Sequence, residues 1–219
     1  MKDCLLFLHG KYPVGHLDYY KKLCRGKFKI AVDGGYSFFA KSGLTPDILM
    51  GDFDSLKKTP KNISPRTVIF RFPEHKDKTD SELALDYCIE KKAGRIDIVQ
   101  PSVGEIDQFL GNVMLPLLNG YRNDGRLPKI RILNVRYELL FVEDERLTIN
   151  KARGDKISVI ALSECLRYSC QGTEYDVTDI VLKPGQSRGL RNKIVRPVAV
   201  FNLTGQAFFI RSYKTPRIK

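Results

Sequence analysis

Residues 28–54 read FKIAVDGGYSFFAKSGLTPDILMGDFD, and this stretch decides the fold. Phe28 to Val32 and Asp47 to Met50 have the length and apolar content of buried strands, and a helical pattern lies between them. The predicted unit is strand, helix, strand, the building block of a parallel sheet. An aspartate follows each strand: Asp33 after the first, Asp52 and Asp54 after the second. Ligands of open parallel sheets settle outside the carboxyl ends of the strands, so both clusters face one edge.

The pattern extends outward on both sides. Cys4 to Leu8, Thr67 to Phe72 and Ile96 to Val99 are further predicted strands. A helix starts at Thr79, whose hydroxyl can cap it while Glu82 reaches back, which puts Asp80 in its first turn. A second helix runs from Asp107 toward Leu118, with Pro116 bending or ending it early. After about Val135 the pattern changes to short β segments: Glu138 to Val142, Arg146 to Ile149, Lys156 to Leu162, Val195 to Phe201 and Ala207 to Ile210. Asn202 to Gly205 reads as a hairpin turn joining the last two. The expected fold class is α/β: a mostly parallel sheet with flanking helices over residues 1–136, then an antiparallel β-sandwich over 137–219.

With 219 residues and 42% hydrophobic content the chain can bury a real core. No apolar run approaches the roughly 18 residues of a membrane helix, and no basic region with an apolar signal core opens the chain, so a soluble, cytoplasmic protein is expected. Five scattered cysteines without a CxxC pair suit reduced, structural thiols. The formal charge is +12, and beyond Asp179 every charged residue is basic, from Lys183 and Arg188 to Arg217 and Lys219. Such a segment attracts polyanions: ATP, nucleic acid or an anionic surface.

Asp33, Asp52, Asp54 and Asp80 together suit a hard cation and a polyphosphate. Magnesium takes oxygen ligands, commonly one or two carboxylates plus substrate phosphates, and it relieves the repulsion of crowded carboxylates. Any one cluster alone reads as a turn or a helix-dipole partner before it reads as a ligand site; three clusters at strand ends reverse that order. Gly34 and Gly35 allow backbone to approach a ligand. Neither a P-loop nor a dinucleotide glycine fingerprint is present, so phosphate charge falls to the metal and to separate basic residues such as Lys76. Tyr36, Phe38 and Phe39, at helical spacing, read as core before they read as an adenine stack; His9 and His16 can approach the nucleotide edge.

These segments, AVDGG, GLTPDILMGDFDSL, HKDKTD and EIDQFLGN, resemble in order and spacing those of the thiamine pyrophosphokinase family, with GDFDS the most specific. A weaker match, residues 187–192 (SRGLRN), resembles that family's S-x-G-x-SN. The resemblance covers most of the chain. It implies transfer of the β,γ-diphosphoryl unit of ATP to the hydroxyethyl group of thiamine, releasing AMP, in an α/β nucleotide domain followed by a β-sandwich that binds thiamine, paired as a homodimer. By the same resemblance Asp52, Asp54 and Asp80 form the catalytic, magnesium-holding group, with Asp33, Gly34, Gly35, Lys76 and Asp77 on the nucleotide. Asp107, Gln108, Asn112, Ser187 and Asn192 fall to the substrates, although Asp107 equally reads as a simple helix cap.

Three departures change charge: Glu105 stands at the arginine of R-x-D-[HQ], Glu174 at the lysine of G-x-KY, and Arg191 at a serine. A compensating Glu174–Arg191 ion pair is one expectation. Two alternatives remain open: a related pyrophosphokinase acting on another alcohol such as a hydroxymethylpterin, and a basic nucleic-acid-binding protein on the same scaffold, which lacks an evident recognition-helix or RNP-like motif.

Overall fold

The computed structural model describes residues 3–53, 63–102, 104–118 and 128–218. The chain divides into two compact units, residues 1–135 with 217–219, and residues 136–216.

The first unit is built on six strands: β1 (Cys4–Phe7), β2 (Phe28–Val32), β3 (Ile48–Gly51), β4 (Val68–Arg71), β5 (Arg95–Val99) and β6 (Lys129–Leu133). They are all parallel, in the order β6-β5-β1-β2-β3-β4. Between them run α1 (Leu17–Leu23), α2 (Tyr36–Ser42), α3 (Asp80–Glu90) and α4 (Ile106–Met114). Thr79 caps α3 as expected, its Oγ1 accepting the Glu82 N–H at 3.2 Å. Pro116 sits in the 3-10 turn Leu115–Leu117 that ends α4. The core on one face gathers Phe7, Tyr12, Tyr20, Phe38 and Phe39, with Phe7 stacked on Phe38 at 4.3 Å. The aromatics of α2 are therefore core, and the burial of such rings stabilises this face by roughly 1.5–3 kcal/mol each.

β6 escapes the sequence reading because Lys129 and Arg131 interrupt its apolar pattern. Arg131 is there to meet Asp97, a fully buried carboxylate on β5: its Nε and Nη2 donate to Asp97 Oδ1 and Oδ2 at 2.9 and 3.0 Å, and Lys27 Nζ adds a third bond at 2.8 Å. Burial alone would raise this carboxyl, but Arg131 and Lys27 outweigh it and hold Asp97 below the usual carboxylate range.

The second unit is a sandwich of two antiparallel sheets. One holds β7 (Tyr137–Glu143), β9 (Lys156–Ala161), β12 (Asn192–Lys193) and β14 (Gln206–Ser212); the other holds β8 (Arg146–Asn150), β10 (Leu166–Gln171), β11 (Val177–Leu182) and β13 (Val198–Thr204). Their facing side chains form one core that includes Ile157, Leu166, Phe201 and Phe209. The α/β-then-β fold class expected from the sequence is thus present, while β10 and β11 are strands the sequence reading did not mark.

One expectation is corrected. β13 and β14 do not pair as a hairpin, because β13 bonds to β8 and β10 whereas β14 bonds to β7 and β9. The chain changes sheet at Gly205, whose φ of +108° no β-carbon tolerates well. Asp144 Oδ1 accepts the Gly205 N–H at 2.7 Å. The two strands meet face to face across the core instead, with the Phe201 and Phe209 rings 5.1 Å apart. Part of the basic excess is also internal: Arg211 Nε donates to Asp155 Oδ2 at 2.8 Å, and its Nη1 to Glu138 Oε1 at 3.3 Å.

Candidate active site

Three elements of the first unit deliver carboxylates to one place. β2 ends at Val32 and turns at once through the 3-10 segment Asp33–Gly35. β3 ends at Gly51, just before Asp52. α3 begins with Asp80. Two non-glycine residues here adopt left-handed backbone, Asp33 at φ +44° and Phe53 at φ +68°. Such conformations cost of order 1–3 kcal/mol each and persist where the surroundings enforce them. The enforcing contact at Phe53 is its buried ring, which belongs to the aromatic core.

The glycines explain how the turns fit. A β-carbon on Gly51 would lie 3.0 Å from Asp33 Cβ and 3.1 Å from Asp33 Cα, so the bare backbone lets the ends of β2 and β3 close up. A β-carbon on Gly35 would fall 1.8 Å from the Phe7 carbonyl oxygen. The open side of Gly35 is therefore filled by β1.

Lys76 binds the carboxylates together. Its Nζ donates to Asp52 Oδ2 at 2.7 Å and to the Pro73 carbonyl at 3.1 Å, and lies 3.3 Å from Asp80 Oδ1. The side chains of Lys76, Asp52 and Asp80 are only 15%, 13% and 16% exposed, so this is a mostly buried charge cluster. Burial pushes the Asp80 carboxyl above its usual range; Lys76 opposes that, and the charges of Asp52 and Asp33 add to it. For Lys76 itself, burial disfavours the ammonium, but its bond to Asp52 and the charge of Asp80 prevail and raise its pKa.

The remaining residues predicted for the site are placed as follows. Asp54 lies outside the described residues. Gly34 is buried, whereas Asp77 is exposed and joins the cluster by no described contact. Asp107 is in the first turn of α4, where its Oδ1 accepts the Gln108 N–H at 2.8 Å, and Gln108 Nε2 donates to Glu105 Oε2 at 3.3 Å. Asn112 is half-buried one turn further along. His9 is exposed just beyond β1, and His16 half-buried.

The second unit holds a cavity of about 550 Å³ lined by Tyr168, Glu174, Tyr175, Arg188, Leu190 and Asn192 among others. Asn192 reaches it through the backbone of residue 175: its Oδ1 accepts the Tyr175 N–H at 3.1 Å and its Nδ2 donates to the Tyr175 carbonyl at 2.7 Å. Ser187 is exposed, its carbonyl accepting the Leu190 N–H in the neighbouring turn. No ion pair joins Glu174 to Arg191 among the described residues; Arg191 has left-handed backbone at φ +61°, and its N–H donates to Ser158 Oγ.

Known proteins resemble this chain in both sequence and fold. Residues 20–125 match the family described as thiamin pyrophosphokinase, catalytic domain, a span that holds Asp33, Asp52, Lys76, Asp80 and α4. Thiamine pyrophosphokinase of Bacillus subtilis (strain 168) is 27% identical over 188 residues, 84% of this chain and 86% of that protein. The crystal structure of thiamine pyrophosphokinase from Bacillus subtilis superimposes with a TM-score of 0.81 at 25% identity, covering 97% of this chain and 99% of that one. The chain is similar to thiamine pyrophosphokinases. A second family structure, from Geobacillus thermodenitrificans, gives a TM-score of 0.77 at 26% identity over 97% of both chains.

Among the described residues no set of three acidic, histidine or cysteine side chains is gathered in metal-holding geometry. Even so, the donors suit a cation. A lysine ammonium already stands between Asp52 and Asp80, so these two carboxylates share one positive charge in the resting protein. The cavity wall formed by Glu174, Tyr175 and Leu190 was not read from the sequence as a unit. The signal available was the doublet Glu174-Tyr175 ahead of the Gly189 turn, which spacing alone does not connect.

Proposed function

We propose that the protein is a thiamine diphosphokinase that transfers the diphosphoryl group of ATP to the hydroxyl of thiamine, giving thiamine diphosphate and AMP. The observation that carries this reading is the Asp52–Lys76–Asp80 cluster at the carboxyl end of a parallel sheet, inside the stretch that matches the family's catalytic domain. The first unit would then bind ATP and the second, with its cavity, thiamine.

In this reading Asp52 and Asp80, with Asp54 by resemblance, would hold magnesium, which would supply charge neutralisation and orientation to the phosphates. Lys76 supplies a point charge to the departing or transferred phosphate oxygens. Asp33 and Asp52, fixed in strained or tightly packed turns, keep the carboxylates in place without reorganisation during the reaction. Transfer of this kind rests on in-line placement and charge neutralisation, with a strong protein base less important. The hydroxyl oxygen of the acceptor bonds to the β-phosphorus as the bond from that phosphorus to the α-phosphate bridge breaks, AMP leaves with the bridging oxygen, and the hydroxyl proton passes to solvent.

A homodimer is part of the same reading. The exposed apolar stripe Ile106, Leu110 and Met114 on α4 supports a partner surface.

Purified protein incubated with ATP, magnesium and thiamine should form AMP and thiamine diphosphate in equal amounts, quantified by chromatography. ATP bound with magnesium but no product would reject thiamine as acceptor. Formation of a diphosphate ester from a hydroxymethylpterin instead would identify the alternative alcohol.

A further inference from the structure

The sheet of the second unit that holds β9 ends in a row of like charges. Lys193 of the short edge strand β12 is the antiparallel partner of Lys156 on β9, and Lys156 is in turn the partner of Ser212 on β14. Paired residues stand on one face of a sheet with their β-carbons about 4.5–5.5 Å apart. Two lysines and a hydroxyl therefore lie side by side across three strands. A third lysine enters the same corner. Lys214 follows Ser212 by two residues, the side-chain period of a strand, and its stem runs over Gly154, two residues before Lys156. A β-carbon on Gly154 would lie 2.5 Å from Lys214 Cδ and 3.3 Å from its Cγ, so the bare backbone there is what lets the stem pass.

The acids nearby are committed elsewhere. Asp155 Oδ2 accepts from Arg211 Nε and its Oδ1 from the Lys214 N–H, both at 2.8 Å, and Glu138 Oε1 accepts from Arg211 Nη1. Glu174 is tied to β12 by its backbone, its N–H donating to the Lys193 carbonyl at 2.8 Å. Among the described residues no carboxylate forms an ion pair with Lys156, Lys193 or Lys214. Like charges directly opposite each other on a sheet are destabilising. A lysine on an edge strand deters pairing with other strands, which accounts for Lys193 alone. Lys156 lies one strand in, half-buried between Lys193 and Ser212. A multivalent anion seated across the row turns this repulsion into attraction, with ammonium and hydroxyl donors for its oxygens.

We propose that Lys156, Lys193 and Lys214, with the Ser212 hydroxyl, form a binding site for a polyphosphate anion on the sandwich unit. The ligand is a compact chain of phosphates, inorganic or carried by a nucleotide, because three lysines gathered in one corner match several negative charges held close together. The site lies wholly in the second unit and needs neither the Asp52–Lys76–Asp80 cluster nor a cation.

In the test, inorganic triphosphate is titrated calorimetrically into the full-length protein at low ionic strength with EDTA present, so that no divalent cation links it to Asp52 and Asp80. The wild type should bind it, and more weakly as salt rises. Lys156→Gln and Lys193→Gln should each lower the affinity about tenfold, the scale of one charge-assisted contact. Lys156→Arg should keep most of it and Lys76→Met all of it. Lys193 is exposed on an edge, so its glutamine variant probes the site without disturbing the core. ATP titrated in the same way separates the two sources. An affinity equal to that of triphosphate and weakened alike in Lys193→Gln assigns the site to phosphate alone; a tighter one, weakened likewise, assigns it to a nucleotide. A wild type that binds neither overturns the proposal, as does an affinity unchanged in Lys193→Gln or lost in Lys76→Met alone. Binding of a single-stranded oligoribonucleotide without binding of triphosphate would make this face a nucleic-acid surface and overturn it as well.

Discussion

Lys76 Nζ lies 2.7 Å from Asp52 Oδ2, bridging the end of one strand to the start of the helix that carries Asp80. A lysine so placed neutralises a crowd of carboxylates in the resting protein, and in the proposed reading its charge also meets the phosphates of ATP. Replacing it by methionine keeps the apolar stem and removes the charge. Lys76→Met is expected to raise the KM for ATP by roughly tenfold or more with a smaller change for the acceptor. Steady-state kinetics varying each substrate in turn would show it, and equal effects on both would remove Lys76 from the nucleotide site.

Asp80 makes the opposite trade. Its folded-state pKa is raised, by burial first and by Asp52 and Asp33 next, so the fold prefers it protonated. Its contribution to stability is present below the unfolded value of about 3.9 and is lost as pH rises through the folded pKa. Asp80→Asn is therefore expected to unfold at higher urea concentration than the wild type at neutral pH, while turnover drops by roughly a hundredfold or more. A variant that loses both stability and activity would mean that the carboxylate is structural.

Much of this was legible in the chain. The ends of β2 and β3 and the aspartates that follow them, Asp33 and Asp52, were legible because a strand end, a turn and a carboxylate are local events, readable at the residues that make them. The capping of α3 by Thr79 and the ending of α4 at Pro116 were legible for the same reason. What local pattern does not carry is pairing. Nothing at Gly205 distinguishes a hairpin from a change of sheet, since the choice is made by partners as distant as Glu143 and Arg167. β6 was hidden by Arg131, whose charge makes sense only beside Asp97. Asn192 was read as a ligand contact, and its amide also holds the Tyr175 peptide, a pairing no local pattern announces.

The Asp97 cluster gives a prediction confined to stability. Both charged partners bond to a carboxylate with no exposed surface, so removing the acid leaves two cations facing an apolar sheet. Asp97→Asn should cost roughly 3–5 kcal/mol, read from urea unfolding. Because Arg131 and Lys27 depress the folded pKa against the effect of burial, the wild type's share of this stability is present above the unfolded value and lost as pH falls through the folded one. The difference between wild type and Asp97→Asn should accordingly shrink in acid, below about pH 4.

Gly35 separates packing from ligand approach. If its bare backbone served a nucleotide, alanine there would weaken ATP and leave the fold intact. The structure instead puts the missing β-carbon 1.8 Å from the Phe7 carbonyl oxygen, a backbone atom in the middle of the sheet that cannot swing aside. Gly35→Ala should lower stability by on the order of 3 kcal/mol. It should also disturb Asp33, two residues before it at the end of β2, so nucleotide affinity falls together with the unfolding midpoint. Measured side by side, a loss of affinity at unchanged stability would return Gly35 to the nucleotide, and a loss of both assigns it to the joint between β1 and the turn that carries Asp33.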